Sequence, residues 1–166
     1  MIVLGIDPGI SGAFAVVHRG RCVKIFDMPV MTHTKGGKVR QTYDGPKMNR
    51  FLRELKELAE QKGESLRVAL EDLSYRPSNG GIGAQSFAVG YGRLLAYLEI
   101  NEIPFETVSA NSWRPKMVGV KKSKADALKK ARQLFPKAPL TLAKHHNRAE
   151  ALLIAEYAIR YLGWGG

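Results

Sequence analysis

Three short β-type runs divided by two turns fill the first 26 residues, and they constrain the fold more than anything later in the chain. Ile2–Ile6 is an almost unbroken apolar run, Ala13–His18 is a second, and Cys22–Phe26 a third. Apolar runs of this length suit strands covered on both faces. Asp7-Pro8-Gly9-Ile10-Ser11-Gly12 separates the first two, and Arg19-Gly20 suits a tight hairpin between the second and third. Three successive antiparallel strands are therefore expected.

Beyond them the period lengthens. Pro46 can open a helix, where its missing N–H costs nothing. Phe51, Leu52, Leu55, Leu58 and Ala59 then recur at helical spacing until Gly63. Arg67–Leu70 reads as a strand, Ala84–Asn101 as a helix and Phe105–Val108 as a strand. Ser123–Leu134 reads as a basic amphipathic helix and Arg148–Leu162 as a strongly apolar last one. Thr32–Gly45 is polar, contains Gly36-Gly37 and lacks periodicity, so a mobile loop is expected there; Pro77–Gly83 is a loop by composition. This order defines an α/β fold with a mixed five-stranded sheet, three antiparallel N-terminal strands followed by parallel ones, flanked by helices. At 166 residues, with no internal repeat and no linker, residues 1–166 are expected to form one domain.

Charge narrows the partners. Lys and Arg number 26 against 15 Asp and Glu, a formal charge of +11. From Arg114 to Arg148 there are eleven Lys/Arg and one acid, Asp126, and a second basic patch holds Lys35, Lys38, Arg40 and Lys47. A surface evolved only for solubility mixes both signs, so one-sided clustering points to a polyanion such as nucleic acid. Cys22, the only cysteine, reads as a small core residue and excludes both an internal disulfide and a Cys-rich zinc site. No apolar run approaches the ~20 residues that cross a bilayer, and the first strand begins at once; a cytoplasmic setting without a membrane partner is expected.

The acids are few and their positions are informative. Asp7 and Glu71 both stand at strand carboxyl ends, where open α/β sheets place their sites. If their strands are parallel neighbours, ~4.8 Å apart, the two carboxylates face each other. Asp72 then alternates to the opposite face. His146 and Glu150, four apart, share one face at the start of the last helix. Such a set repels itself unless a cation sits within it, and oxygen-rich ligands suit hard divalent ions, Mg²⁺ or Mn²⁺. Two such ions support phosphodiester hydrolysis. Asp7, Glu71, His146 and Glu150 are the candidate catalytic and metal-ligating residues; taken singly, Asp7 reads equally as a turn cap and Glu71 as half of an ion pair.

Four stretches in order resemble a known family: Gly5-Ile6-Asp7-Pro8-Gly9-x-x-Gly12, Ala69-Leu70-Glu71, Gly83-Ala84-Gln85-Ser86, and His146-x-Arg148-Ala149-Glu150-Ala151-Leu152-Leu153-Ile154-Ala155. They resemble the RuvC-type Holliday junction resolvases, and the last two are closest in style to the phage and chloroplast branches. The resemblance implies a ribonuclease-H-like fold and a homodimer that nicks opposed strands of a four-way DNA junction, with two Mg²⁺ ions, Mn²⁺ as a substitute, and no small-molecule cofactor. Asp7, Glu71 and Glu150 match the family's acidic positions. Its remaining ligand falls on Asn147, a mismatch, and His146 is taken in its place.

For such a nuclease, Lys121, Lys122, Lys124, Arg148, Lys35, Lys38 and Arg40 are candidates for phosphate contact. Tyr75 is a candidate for stacking on an unpaired base, and Arg76, Asn79 and Gln85 for reading base edges. The 84–101 helix, with Gly90, Gly92, Phe87, Tyr91, Leu94 and Leu98, is the candidate dimer element. The competing readings are a nuclease acting on hybrids or flaps, a non-catalytic junction-binding module, and an actin-like ATPase, for which the chain is too short.

Overall fold

The computed structural model describes residues 1–72, 81–120 and 123–164; of Lys35, residues 81–84 and Ser86 it describes the backbone alone. Strands β1 (Ile2–Asp7), β2 (Ala13–His18), β3 (Arg21–Asp27), β6 (Leu66–Glu71) and β7 (Phe105–Val108) form one sheet in the order β3-β2-β1-β6-β7. β1–β2 and β2–β3 are antiparallel, while β1–β6 and β6–β7 are parallel. The mixed five-stranded sheet read from the sequence is therefore the one observed.

One correction and one addition concern the connecting segments. Val30–Lys35 (β4) and Lys38–Tyr43 (β5) pair as a separate antiparallel hairpin, where a loop was expected. Gly36 and Gly37 both have positive φ, 58° and 72°, which a two-residue hairpin turn of the primed type requires. A second unexpected element is the short helix α3 (Ala110–Met117), capped by Ser109, whose side chain accepts from the Ser112 amide.

Helix α1 (Gly45–Gln61) starts at Pro46 as expected, with Asp44 as its cap. α2 (Gly81–Ile100) starts earlier than its pattern suggested. In α4 (Lys124–Leu134), the lone acid of the basic run, Asp126, forms a reciprocal capping box with Ser123. α5 (His146–Tyr161) follows a 3₁₀ turn at Ala143–His145.

The sheet separates two apolar layers. Ile2, Leu4, Ile6, Val68 and Leu70 pack with α1 and α2, including Leu52, Tyr91, Leu94 and Leu98. Val3, Ala15, Val17 and Ala69 face α3, α4 and α5. Alternation therefore places Gly5 and Asp7 of β1, with Ala69 and Glu71 of β6, on the α5 side. Residues 149–158 of α5 are all buried, a run of strong helix formers wrapped on every side. Of the α2 side chains named as candidates for a dimer contact, Tyr91, Leu94 and Leu98 pack in the chain's own core, while Val89 and Ile100 of the same helix are exposed. Cys22 is half-buried against the core.

Gly5 determines how close α5 comes to the sheet. A Cβ there would lie 2.1 Å from the Ala151 carbonyl oxygen and 2.9 Å from Ala155 Cβ. Gly5→Ala is expected to cost about 2 kcal/mol or more, because backbone cannot yield to overpacking, lowering Tm by ~4–8 °C. Gly92 in α2 has nothing within 4 Å, so Gly92→Ala is expected to leave Tm unchanged or raise it. Thermal unfolding of the two variants checks the contrast.

Candidate active site

Sheet register brings the first two acids together. The last β1–β6 pair is Ile6↔Leu70, so Asp7 and Glu71 are the next residues on each strand, both on the α5 side. Glu150 immediately precedes Ala151, the residue whose carbonyl touches Gly5, so the close approach of α5 also delivers the third carboxylate. Asp7, Glu71 and Glu150 line one cleft of about 500 Å³. Pro8, Gly9 and Ser11 of the turn after β1 form one wall; Asp72, Phe87, Arg114, Lys124 and Asn147 complete it. Asp7 and Glu150 are nearly out of water, at 9% and 4% exposed.

Electrostatics record the crowding. Burial first, then the charges of Glu71 and Glu150, pushes the Asp7 carboxyl up from its ordinary 3.8 to about 7; the Gly9 amide and Lys124 offset this only in part. A divalent cation placed among these groups relieves that repulsion, and carboxylate oxygens are the donors a hard cation takes. The donor chemistry fits such an ion. As arranged here, though, no three His, Cys, Asp or Glu side chains among the described residues converge on one point.

Two of the carboxylates are held by neighbours on α3, which the sequence reading missed. Trp113, fully buried, donates its Nε1–H to Glu71 Oε1 at 3.0 Å. The adjacent Arg114 pairs with Glu150 Oε1 and lies over the Trp113 ring, 5.0 Å from its centroid. The available signal was Ser109, a capping residue right after the β7 run, with Trp113 just before the basic stretch.

His146 lies apart from this set. It lines a neighbouring groove with Lys129, Arg132 and Thr141, and Lys124 borders both spaces. Asn147 instead faces the cleft, with its amide donating to the Ser11 carbonyl and tying α5 to the turn after Asp7. Asp72, the residue after β6, also lines the cleft, although strict alternation would send it to the far face.

The candidate DNA contacts divide as well. Lys124 is at the cleft. Arg148 is committed elsewhere, donating from Nε and an Nη to both oxygens of Asp27 at 2.6 and 2.8 Å, a bidentate pair that holds α5 to the end of β3. Gln85 is exposed on the first part of α2, and Lys38 and Arg40 are exposed on the β4–β5 hairpin. Tyr75, Arg76, Asn79, Lys121 and Lys122, with the Lys35 side chain, lie outside the described residues. No described helix is long and apolar enough to cross a membrane.

No protein-family model matches the chain, and no curated protein sequence does. Solved structures do match, and what they share with the chain is the fold. The structure described as T. thermophilus RuvC in complex with Holliday junction substrate shares the fold at a TM-score of 0.67 and 19% identity, over 99% of this chain and 96% of that one. A second Thermus thermophilus RuvC structure matches at 0.53 and 19%, over 98% and 97%. The chain has the RuvC fold.

A raised Asp7 carboxyl means that the folded chain holds a proton the unfolded chain has already lost between about pH 4 and 7. Folding stability therefore falls as pH rises through that window. Asp7→Asn removes the liability: its Tm is expected to exceed that of the parent at pH 8 and to converge with it near pH 4. Thermal unfolding across that range, without divalent ions, checks the sign.

Proposed function

We propose that this chain is a structure-selective endodeoxyribonuclease that resolves four-way DNA junctions by paired, divalent-metal-dependent nicks during recombination. The observation that carries the reading is the cleft, with Asp7, Glu71 and Glu150 brought from β1, β6 and α5 to one place on a RuvC fold. The junction bound in the Thermus RuvC complex and the one-sided positive charge of this chain support DNA as substrate. Residues 1–166 act as one nuclease domain.

Asp7, Glu71 and Glu150 would hold the ions, with His146, one helical turn before Glu150, turning in from its groove as the further ligand or acting on the attacking water. Held there, two Mg²⁺ ions, with Mn²⁺ as substitute, would supply Lewis-acid activation of the water and stabilisation of the leaving oxygen. The protein does the rest. Trp113 fixes one Glu71 oxygen, so the carboxylate enters the reaction already oriented. Arg114 and Lys124 put positive charge on a wall that would otherwise repel phosphate. Lys124 also opens onto the groove of Lys129 and Arg132, a cationic path for the strand beyond the scissile bond. Lys121, Lys122, Tyr75, Arg76, Asn79 and Gln85 are the further residues proposed to contact DNA. A homodimer with two-fold symmetry matches the junction's own symmetry and pairs the nicks.

The test offers purified protein with Mg²⁺ or Mn²⁺ a four-way junction, a matched duplex and an RNA–DNA hybrid. Symmetric paired nicks in the junction alone are expected. Asp7→Asn is expected to slow cutting by about 10³-fold or more, the loss of ~4 kcal/mol of transition-state stabilisation, while junction affinity holds. Cleavage of the hybrid alone would make the chain a hybrid nuclease, and binding without cutting in either metal would make it a junction-binding module.

A further inference from the structure

The β4–β5 hairpin stands outside the five-stranded sheet, and its register gives it two unlike faces. Directly paired residues share a face. Lys35↔Lys38 and His33↔Arg40 therefore put every basic residue of the hairpin on one side, with Thr34↔Val39 and Thr32↔Gln41 on the other. Between Asp27 and Asp44 the chain has no acid at all. His33, Lys38 and Arg40 are exposed, and among the described residues no carboxylate pairs with them.

This arrangement works against the hairpin's own stability. Two-stranded ribbons are marginal by themselves, and like charges directly opposite weaken the pairing further. What holds the ribbon is its root. Val30 pairs with Tyr43, whose ring is buried against Gly90 of α2, where a Cβ would lie 2.0 Å from the ring. Tyr43 donates its hydroxyl to the Pro8 carbonyl at 3.0 Å, and the Met28 amide donates to the Gly12 carbonyl at 2.8 Å. Both ends of the hairpin are thus bonded to the turn that follows Asp7 and walls the cleft. A ribbon of six-residue strands reaches ~20 Å from that root.

We propose that the β4–β5 ribbon is a DNA-gripping arm whose Lys35/Lys38/His33/Arg40 face lies against the phosphates of a duplex segment next to the cleft. Backbone phosphates are the anions that a closely spaced, sequence-neutral cation row fits, and a duplex groove is wide enough to admit a two-stranded ribbon. The Thr32/Thr34/Val39/Gln41 face stays away from the DNA. The inference rests on the DNA reading above and adds an arm to the site described there.

Binding of a long-armed four-way junction and of a linear duplex, measured over a range of salt without divalent ions, tests it on three proteins. Lys38→Gln/Arg40→Gln is expected to bind at least about tenfold more weakly at 0.1 M salt, with the slope of log K against log salt reduced by about 2. Gln41→Ala, on the opposite face, is expected to match the parent in both. Matching Tm values confirm that all three are folded. Parent and double variant binding with equal affinity and slope overturns the arm, as does an equal loss in Gln41→Ala. If the parent binds neither DNA, the DNA reading itself fails.

Discussion

Everything at the cleft depends on how closely helix α5 lies on strand β1. The contact is made by backbone: Gly5 presents no side chain, and the Ala151 carbonyl occupies the space a Cβ would need. Asp7 is two residues beyond Gly5 on the same face of the strand, and Glu150 is the residue before Ala151. One close-packed point therefore sets the separation of two carboxylates that belong to distant parts of the chain. The parallel pairing of β1 with β6 adds the third, since Glu71 and Asp7 each come next after Ile6↔Leu70, the last pair between those two strands.

The cost of this assembly is electrostatic, and the protein manages it locally. Burial, and then the charges of Glu71 and Glu150, push the Asp7 carboxyl up to about 7. Around them the chain is strongly cationic, and α3 contributes consecutive residues to the problem: Trp113 holds Glu71 and Arg114 holds Glu150. On the function proposed above, the same crowding would favour a divalent cation in the cleft, with Arg114 and Lys124 on its wall offsetting the repulsion of a phosphate.

Much of this was legible in the sequence. The five strands of the main sheet and the positions of Asp7 and Glu71 followed from apolar runs, two of them ending in carboxylates, and Glu150 from its place at the start of the apolar last helix. What escaped notice has physical causes. The hairpin at 30–43 is built from β-formers such as Val30, Thr32, Thr34, Val39 and Tyr43, but its exposure on nearly every position erases the apolar alternation that marks a half-buried strand. Helix α3 is eight residues long and contains Pro115, which argues against a helix on propensity alone. Arg148 read as free positive charge because nothing in the sequence pairs it with Asp27, 121 residues away. On the first turn of α5, neighbouring residues point in directions about 100° apart, so His146 and Asn147 go to different spaces although they are adjacent.

The central claim is that Asp7, Glu71 and Glu150 together form a divalent-cation site on a RuvC fold. Anomalous diffraction from crystals equilibrated with Mn²⁺ tests it without reference to any substrate. A manganese peak in the cleft, within coordination distance of the Asp7 carboxylate and at least one of Glu71 and Glu150, is the predicted result. Well-diffracting crystals with manganese bound elsewhere and no peak beside Asp7 would contradict it.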